Sequence, residues 1–143
     1  MNSKIVIASD HAGYELKQFI VERLKNKNYQ IIDLGTDSLD SVDYPNYAHQ
    51  LASRVVEENL KGILICGSGI GMSMAVNKHK DIRGALCTST EMAKLSREHN
   101  DANVLILGAR FTEPELAWEI LEIWLNTDFS GGRHEKRVQA INL

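Results

Sequence analysis

The segment Ile63-Leu64-Ile65-Cys66-Gly67-Ser68-Gly69-Ile70-Gly71 joins an apolar run to a cysteine and three closely spaced glycines. An uninterrupted apolar run of this kind is typical of a strand buried on both faces, as in a parallel sheet. The glycines permit a tight turn that presents backbone N–H groups to an anion. A helix that opens near Gly69 would face the same space and favour a thiolate at Cys66. The segment therefore predicts a parallel sheet whose edge carries a site that stabilises negative charge.

Strand and helix patterns alternate on both sides of this segment, without a repeat or a linker. We predict five strands, at Lys4–Ser9, Gln30–Leu34, Lys61–Cys66, Arg83–Cys87 and Val104–Leu107. Helices are predicted at Leu16–Leu24 and Pro45–Glu58, and a short helix is predicted to end near Asn77. Three more helices are predicted to begin at a Thr88–Glu91 capping box, at a similar signal at Thr112, and after Gly131-Gly132. This alternation predicts one α/β domain over residues 1–143, a Rossmann-like three-layer αβα sandwich around a five-stranded parallel sheet.

Composition excludes several classes of function. The chain has 143 residues, 43% of them hydrophobic and 24% charged, and its net charge of -3 argues against a nucleic-acid surface. No apolar run reaches membrane-spanning length, so we expect no membrane partner. The start, Met1 to Lys4, leads straight into a strand pattern without a secretory signal, so we expect a cytoplasmic protein. The two cysteines form neither a C-x-x-C pair nor a disulfide framework and are expected to be free thiols.

The glycine loop does not match the common phosphate-binding motifs. A dinucleotide fingerprint needs G-x-G-x-x-G, but the third glycine here, Gly71, comes one residue early. A P-loop would continue with Gly-Lys-Ser/Thr, and a cysteine phosphatase would need an arginine within the loop; the chain has neither. The alternative is a glycine-rich turn beside a buried thiol, because free cysteine is often a small core residue. That core interpretation is favoured for Cys87, which no glycine loop follows.

Further polar residues fall at predicted strand and helix ends. Asp10-His11 follows the first strand and Arg110 the fifth, so both should lie at the same sheet edge as Cys66. Asp10 alone could be only an N-cap, and His99-Asn100 only the end of a helix. Arg133 and Arg137 are four residues apart, which on a helix suits a phosphate or a solvated basic face. No histidine spacing matches a metal motif, so we predict no metal site.

Five motifs taken in order resemble the type B ribose-5-phosphate isomerases over essentially the whole chain. They are Asp10-His11-Ala12-Gly13, Asp43-Tyr44-Pro45, Cys66-Gly67-Ser68-Gly69-Ile70-Gly71, Arg97-Glu98-His99-Asn100 and Gly131-Gly132-Arg133-His134. The resemblance implies interconversion of ribose 5-phosphate and ribulose 5-phosphate through an enediolate, without metal or organic cofactor. A related branch acts on allose or galactose 6-phosphate, which leaves a hexose-phosphate isomerase as one alternative. A non-catalytic sugar-phosphate-binding module is another, although it would not need the cysteine.

The resemblance also implies a role for each candidate residue. Cys66 is the base that takes the C2 proton, Ser68 supports it by a hydrogen bond, and His99 opens the sugar ring. Asp10 is a fourth catalytic candidate and, with Asn100, binds or polarises the sugar oxygens. The remaining candidates bind substrate: backbone N–H groups from Gly67 through Gly69 and Ile70 to Gly71 the enediolate; Tyr44 the sugar; and Arg110, Arg133 and Arg137, with His11 or His134, the phosphate.

The family's site lies between two subunits, which implies a homodimer or a tetramer with His99 and Arg110 contributed by the neighbour. Two departures from the family pattern stand out. Ser68 occupies a position where many members have threonine, which keeps the hydroxyl. Met72 occupies the position of a glutamate base used by another branch, so Cys66 must carry the proton transfer here.

Overall fold

The computed structural model describes residues 3–143; Met1 and Asn2, which belong to the segment read for a secretory signal, lie outside the described residues. The strands are β1 Lys4–Ser9, β2 Gln30–Asp33, β3 Lys61–Cys66, β4 Gly84–Leu86 and β5 Val104–Gly108. The helices are α1 Tyr14–Asn26, α2 Tyr44–Glu58, α3 Ile70–Val76, α4 Thr90–Glu98, α5 Pro114–Leu125 and α6 Arg133–Gln139, with a short 3-10 turn at His11–Gly13 before α1. In this part of the chain no helix is long and apolar enough to cross a membrane.

All five strands run parallel in one sheet, in the order β2-β1-β3-β5-β4. The chain leaves β1 toward one side of the sheet to form β2, and leaves β3 toward the other side to form β4 and β5. The winding direction therefore switches between β1 and β3, which are neighbours with Ser9 opposite Ile65. Ligands of doubly wound folds bind beyond the carboxyl ends of the strands at such a switch point.

Two apolar layers enclose the sheet, because alternate residues of each strand point to opposite faces. Helices α1 and α5 pack on one face and α2 and α3 on the other. The first layer includes Ile7, Ile20, Leu24, Ile65, Leu105 and Trp124; the second includes Val6, Leu51, Val55, Leu64, Met72 and Val76. Truncating such a fully buried side chain to alanine typically costs about 2–5 kcal/mol of stability. These layers confirm the predicted αβα sandwich and hold the carboxyl edge of the sheet rigid.

Two predicted helix caps are wrong. Helix α4 is capped by Ser89, whose hydroxyl accepts a backbone N–H at 3.2 Å, and not by Thr88. Helix α5 begins after Glu113, which makes no side-chain capping bond, because Pro114 takes the first helical position. Buried Thr112 has no hydrogen-bond partner for its hydroxyl among the described residues. In both helices the predicted hydroxyl stands one residue too early, an error that spacing alone cannot exclude.

Most other predicted boundaries differ from the structure by one or two residues, whereas β1 and β3 have the predicted bounds. Strand β4 is shorter than predicted at both ends, and the Arg83 side chain next to it donates to the Asp101 carbonyl oxygen at 2.8 Å. Helix α2 begins at Tyr44 instead of Pro45, and β5 extends through Gly108. None of these differences moves a candidate residue to another edge of the sheet.

Candidate active site

The carboxyl edge of the sheet collects three of the predicted site residues in one chain. Asp10 follows β1 and is held against β3 by its N–H, which donates to the carbonyl oxygen of Ile65 at 3.2 Å. Cys66 ends β3, and its carbonyl oxygen accepts the N–H of Ala109 at 2.9 Å. The N–H of Arg110 donates to the carbonyl oxygen of Gly67, also at 2.9 Å. The predicted gathering of these residues at the switch point is confirmed.

The Cys66 thiol lies under the first turn of α3. It is only 5% exposed, and the N–H of Gly69 donates to Sγ at 3.2 Å. Gly69 has a φ of 80°, and a Cβ there would lie 2.5 Å from a methyl carbon of Leu86. Only glycine adopts this turn without strain, so the sequence of the loop directs a backbone donor at the sulfur. A negative sulfur gains from such a donor, which suits a thiol that must give up and regain a proton.

Ser68 does not make the hydrogen bond expected of it. Its hydroxyl accepts the N–H of Ile70 at 3.1 Å, and no hydrogen bond joins it to Cys66 within residues 3–143. The N–H groups of Gly69 and Ile70 are thus engaged by the sulfur and by the hydroxyl. The N–H of Gly71, in the first turn of α3, has no intrahelical acceptor and is among the donors that remain for an anionic oxygen. Fewer than the five predicted N–H groups are therefore available to an anion in this structure.

Asp10 and His11 are held in fixed orientations. One carboxylate oxygen of Asp10 accepts the N–H of Gly13 at 3.1 Å, so Asp10 is indeed an N-cap, and the residue is 7% exposed. Nδ1 of His11 accepts the N–H of Val42 at 3.1 Å. This bond assigns the proton of a neutral His11 to Nε2, which can donate to a ligand. A cap and a binding role are therefore compatible for Asp10, because a carboxylate has a second oxygen.

Tyr44 and Arg110 cover the glycine loop from two sides. The Tyr44 ring lies so close to Gly71 that a Cβ there would meet it at 2.5 Å. The guanidinium of Arg110 lies over Gly67, where its Cζ would be 3.0 Å from a Cβ. Arg110 thus stands beside Cys66 of its own chain, and the expectation that a neighbouring subunit contributes it is wrong for this structure. The bond between the Arg110 N–H and Gly67 explains the placement, because it ties the end of β5 to the loop.

His99 and His134 lie at the opposite edge of the sheet from Cys66. Helix α4 runs back along the sheet and ends at His99, and the segment after it contacts the amino ends of the strands, where Asn103 accepts the N–H of Gly62 at 2.9 Å. From Gly62 to Cys66 is four residues of strand, or about 13 Å at the usual rise of ~3.3 Å per residue. One chain therefore does not bring His99 to its own Cys66.

A second cluster of basic side chains surrounds His99. Its ring stacks on that of His134, with centroids 4.3 Å apart and planes 14° from parallel. Helix α6 also carries Arg133 and Arg137, both exposed, and none of its residues is buried. The pKa of His134 is lowered, first by loss of solvent and then by the charges of His99, Arg133 and Arg137. A cluster with this excess of positive charge suits an anion such as a phosphate.

Asn100 lines a groove of about 390 Å³ at the amino end of β4, together with Arg83, Gly84 and Ser96. His99, its neighbour in sequence, instead stacks on His134. Their predicted joint action on a sugar is not visible within a single chain.

Lys17 and Asp33 form a network that the sequence analysis missed. Lys17 is 1% exposed, and its Nζ donates to both carboxylate oxygens of Asp33 at 2.9 and 2.7 Å. Asp33 also accepts the N–H of Gly35, whose carbonyl oxygen receives the N–H of Ser9 at 2.8 Å. This ion pair, buried at Lys17 and exposed at Asp33, thus supports the residue that precedes Asp10. A lysine on the buried, apolar stripe of α1 is the signal that could have revealed it.

The fold and the site define a doubly wound α/β enzyme with a thiol, a carboxylate and basic groups arranged for acid–base chemistry on a small anionic molecule. A family model described as ribose/galactose isomerase matches residues 5–141. The chain belongs to that family.

Individual relatives cover nearly the same length. Ribose-5-phosphate isomerase B of Escherichia coli is 46% identical over 139 residues, spanning 96% of this chain and 93% of the relative. The ribose 5-phosphate isomerase structure from Thermotoga maritima superposes with a TM-score of 0.95 at 46% identity, covering 97% of each chain. The Mycoplasma genitalium enzyme, a ribose-5-phosphate isomerase B solved with bound ribulose 5-phosphate, has a TM-score of 0.94 at 42% identity, covering 99% of this chain and 95% of that one.

Proposed function

We propose that this protein interconverts ribose 5-phosphate and ribulose 5-phosphate. The observation that carries the proposal is the Cys66 thiol, held by the Gly69 N–H beside Asp10 and Arg110 at the switch point of the sheet. Membership of the ribose/galactose isomerase family supports the reaction type. Ribulose 5-phosphate bound to a structural relative supports the choice of a pentose.

The reaction needs one group to move a proton between adjacent carbons. Cys66, as thiolate, takes the proton from C2 of the open-chain aldose, and the electron pair forms the C1–C2 double bond of a cis-enediolate with its charge on O1. The proton on O2 then passes to O1, and the thiol returns its proton to C1 to form the ketose. The Gly71 N–H in the first turn of α3 faces the developing oxyanion, where a fixed donor lowers the barrier most. Met72 is buried and has no ionisable group, which leaves this step to Cys66.

The basic cluster around His99 completes the site from a neighbouring subunit. His99 opens the sugar ring as a general acid–base group. Asp10, Tyr44 and Asn100 bind the sugar. Ser68 supports Cys66 indirectly, through the backbone of the loop that joins them. The phosphate lies among Arg110 and His11 of one chain and the basic residues Arg133, His134 and Arg137. The separation of about 13 Å along β3 supports a site shared between two chains, hence a homodimer or a tetramer.

The same proposal includes the setting of the enzyme. Proton transfer by Cys66 and ring opening by His99 require neither a metal nor an organic cofactor. Two free cysteines suit the reducing cytoplasm, where thiols persist. We place the protein there, with a sugar phosphate and a second copy of the chain as its partners and without a nucleic acid or membrane partner.

The substrate is tested by comparing ribose 5-phosphate with allose and galactose 6-phosphates under one set of conditions. We expect turnover to be fastest with ribose 5-phosphate and lost in Cys66→Ala, while Cys87→Ala, a matched thiol change, remains active. Preference for either hexose phosphate would replace the pentose assignment but keep the mechanism. Binding without turnover of any of the three would overturn the enzymatic proposal in favour of a sugar-phosphate-binding module.

The shared site is tested by mixing two inactive variants, Cys66→Ala and His99→Asn. If each site takes its cysteine from one chain and its histidine from the other, half of the sites in a mixed dimer are intact. Random reassociation then restores about a quarter of wild-type activity. Failure to restore activity, with mixed dimers demonstrated by mass spectrometry, would place both residues in one chain.

A further inference from the structure

Two histidines outside the proposed site meet on the surface of the second helix layer. His49 lies on α2 and His79 in the turn after α3, 30 residues later. Nδ1 of His49 and Nε2 of His79 are 2.7 Å apart, and the ring centroids are 4.9 Å apart with the planes tilted by 58°. The two imidazoles thus direct nitrogen atoms at one another from separate elements. Sequence spacing could not indicate this pair, because the contact depends on the packing of α2 against α3.

We propose that His49 and His79 form a binding site for a divalent transition metal ion of the Zn²⁺ or Ni²⁺ type. Imidazole nitrogens bind such ions at about 2.0–2.1 Å, so two nitrogens on one ion lie roughly 2.9–3.4 Å apart for right-angle to tetrahedral geometry. To admit the ion, the two nitrogens have to separate by about 0.2–0.7 Å, and each ring has to turn by roughly 35–45° so that its nitrogen points at the ion and no longer at the other ring. His49 is exposed, and the ion takes the place of the proton that the nitrogens share.

Neutral imidazole is the form that binds metals, and each ring presents one nitrogen toward the other. Within residues 3–143 no third His, Cys, Asp or Glu side chain completes a ligand group, so water fills the remaining positions and the affinity is lower than at three- or four-ligand sites.

The stacked rings of His99 and His134 provide a contrast inside the same molecule. Their planes are 14° from parallel at a centroid separation of 4.3 Å, so the ring faces meet and the nitrogens do not converge. His99 and His134 therefore form a second pair of histidines that should not chelate a metal. His134→Gln serves as the control variant for metal binding.

Bound metal would link α2 to the turn after α3. The two helices already make a contact where the ring of Tyr44, at the start of α2, packs on Gly71 in α3. A ligand that binds only the native arrangement stabilises it in proportion to the logarithm of its concentration. Metal binding is thus read out by stability, independently of isomerase activity and of the proposed function.

The test uses untagged protein, freed of metal with a chelator that is then removed, and Ni²⁺ alone as the probe. At about pH 7.5 and a hundredfold excess of nickel over its dissociation constant, we expect the melting temperature of the wild type to rise by roughly 5–10 °C. His49→Gln and His79→Gln should each bind nickel at least about tenfold more weakly by calorimetry, because one ligand cannot chelate. His134→Gln should respond like the wild type.

A second arm needs no variant. The nickel-dependent rise of the wild type should shrink as the pH falls, because protons compete with the metal ion for imidazole nitrogens. The proposal is overturned if nickel does not raise the melting temperature of the wild type at the higher pH. It is also overturned if nickel raises the melting temperature of His49→Gln and His79→Gln as much as that of the wild type, or if only His134→Gln abolishes the rise.

Discussion

The two cysteines terminate or directly follow strands of the same sheet, yet their surroundings differ. Cys66, after β3, receives the Gly69 N–H at 3.2 Å, whereas the Cys87 thiol, after β4, faces the Ala85 carbonyl oxygen at 3.7 Å. Burial raises the pKa of Cys87 to about 11, against the smaller lowering effect of a hydrogen bond with Ser96. Both residues are nearly inaccessible, at 5% and 1% exposure. Burial therefore does not distinguish them; the backbone donor of the glycine loop does.

The largest effect expected from this difference is the loss of activity in Cys66→Ala. Removal of a general base costs about 10²–10⁴-fold in rate, and we expect a loss of at least ~10³-fold in kcat because no other base lies on the loop. Cys87→Ala, the same chemical change at the other strand end, should keep kcat within about twofold of the wild-type value, because Cys87 is an inert core thiol. Steady-state kinetics on both folded variants show whether the two cysteines have different roles. Comparable losses of kcat in Cys66→Ala and Cys87→Ala would contradict the distinction between them.

His99→Asn should have the next largest effect, and only where a ring must open. With ribose 5-phosphate we expect roughly a 10²-fold loss in kcat, the usual contribution of general acid–base catalysis. With an open-chain analogue such as a tetrose phosphate, which cannot form the stable ring, the loss should stay within about threefold. Equal losses on the two substrates would assign His99 a role in proton transfer and weaken the case for Cys66 as the sole base.

Gly69→Ala sharpens the comparison by disturbing the donor without removing the sulfur. A side chain at φ 80° is strained, and its Cβ would meet Leu86, so we expect kcat to fall by about tenfold as the N–H turns away from Sγ. The double variant Gly69→Ala/Leu86→Ala removes the 2.5 Å contact with Leu86 but keeps the backbone strain and the 3.2 Å contacts with the backbone of Leu107 and Gly108. If the double variant regained full kcat, packing against Leu86, and not the N–H donor, would explain the loss.

The smallest effect concerns the reactivity of Cys87. With a pKa of about 11, roughly one thiolate in a thousand is present at pH 8, so iodoacetamide should modify Cys66 first and Cys87 only after unfolding. Because the folded pKa of this acid lies above its ordinary value of 9.0, the associated stability is full below pH 9 and is lost as the pH rises toward 11. Peptide mapping and chemical denaturation of Cys87→Ala, which should lack this alkaline loss, check both statements. Rapid native labelling of Cys87 would contradict them.

The sequence was sufficient for the features that depend on local pattern. Apolar runs identified β1 and β3 with their bounds, and the glycines identified the loop that reaches Cys66. The strand order was not predicted, because the crossover from β2 to β3 requires knowledge of which faces the helices cover. Thr88 and Thr112 were chosen wrongly as caps, since several neighbouring hydroxyls satisfy the same spacing.

Features created by packing were beyond the sequence. The contact of Arg110 with Gly67 depends on how β5 joins the loop, and the pair His49–His79 depends on how α2 meets α3. The alternative partner of Ser68 is a matter of one side-chain rotation, which no residue pattern specifies. The distance between His99 and Cys66 follows from the direction of α4 along the sheet. A linear motif that places both in one functional set carries no information about which chain supplies each.

Helix α6 has a consequence for how activity depends on the amount of protein. It has seven residues and buries none of them, and isolated helices shorter than about 12 residues are marginal in water. In the proposed dimer, a neighbouring chain that packs on α6 would order the arginines that this helix carries. A solution diluted below the dissociation constant of the assembly should lose affinity for phosphate before it loses any of the core, so the specific activity should fall while the folded fraction stays constant.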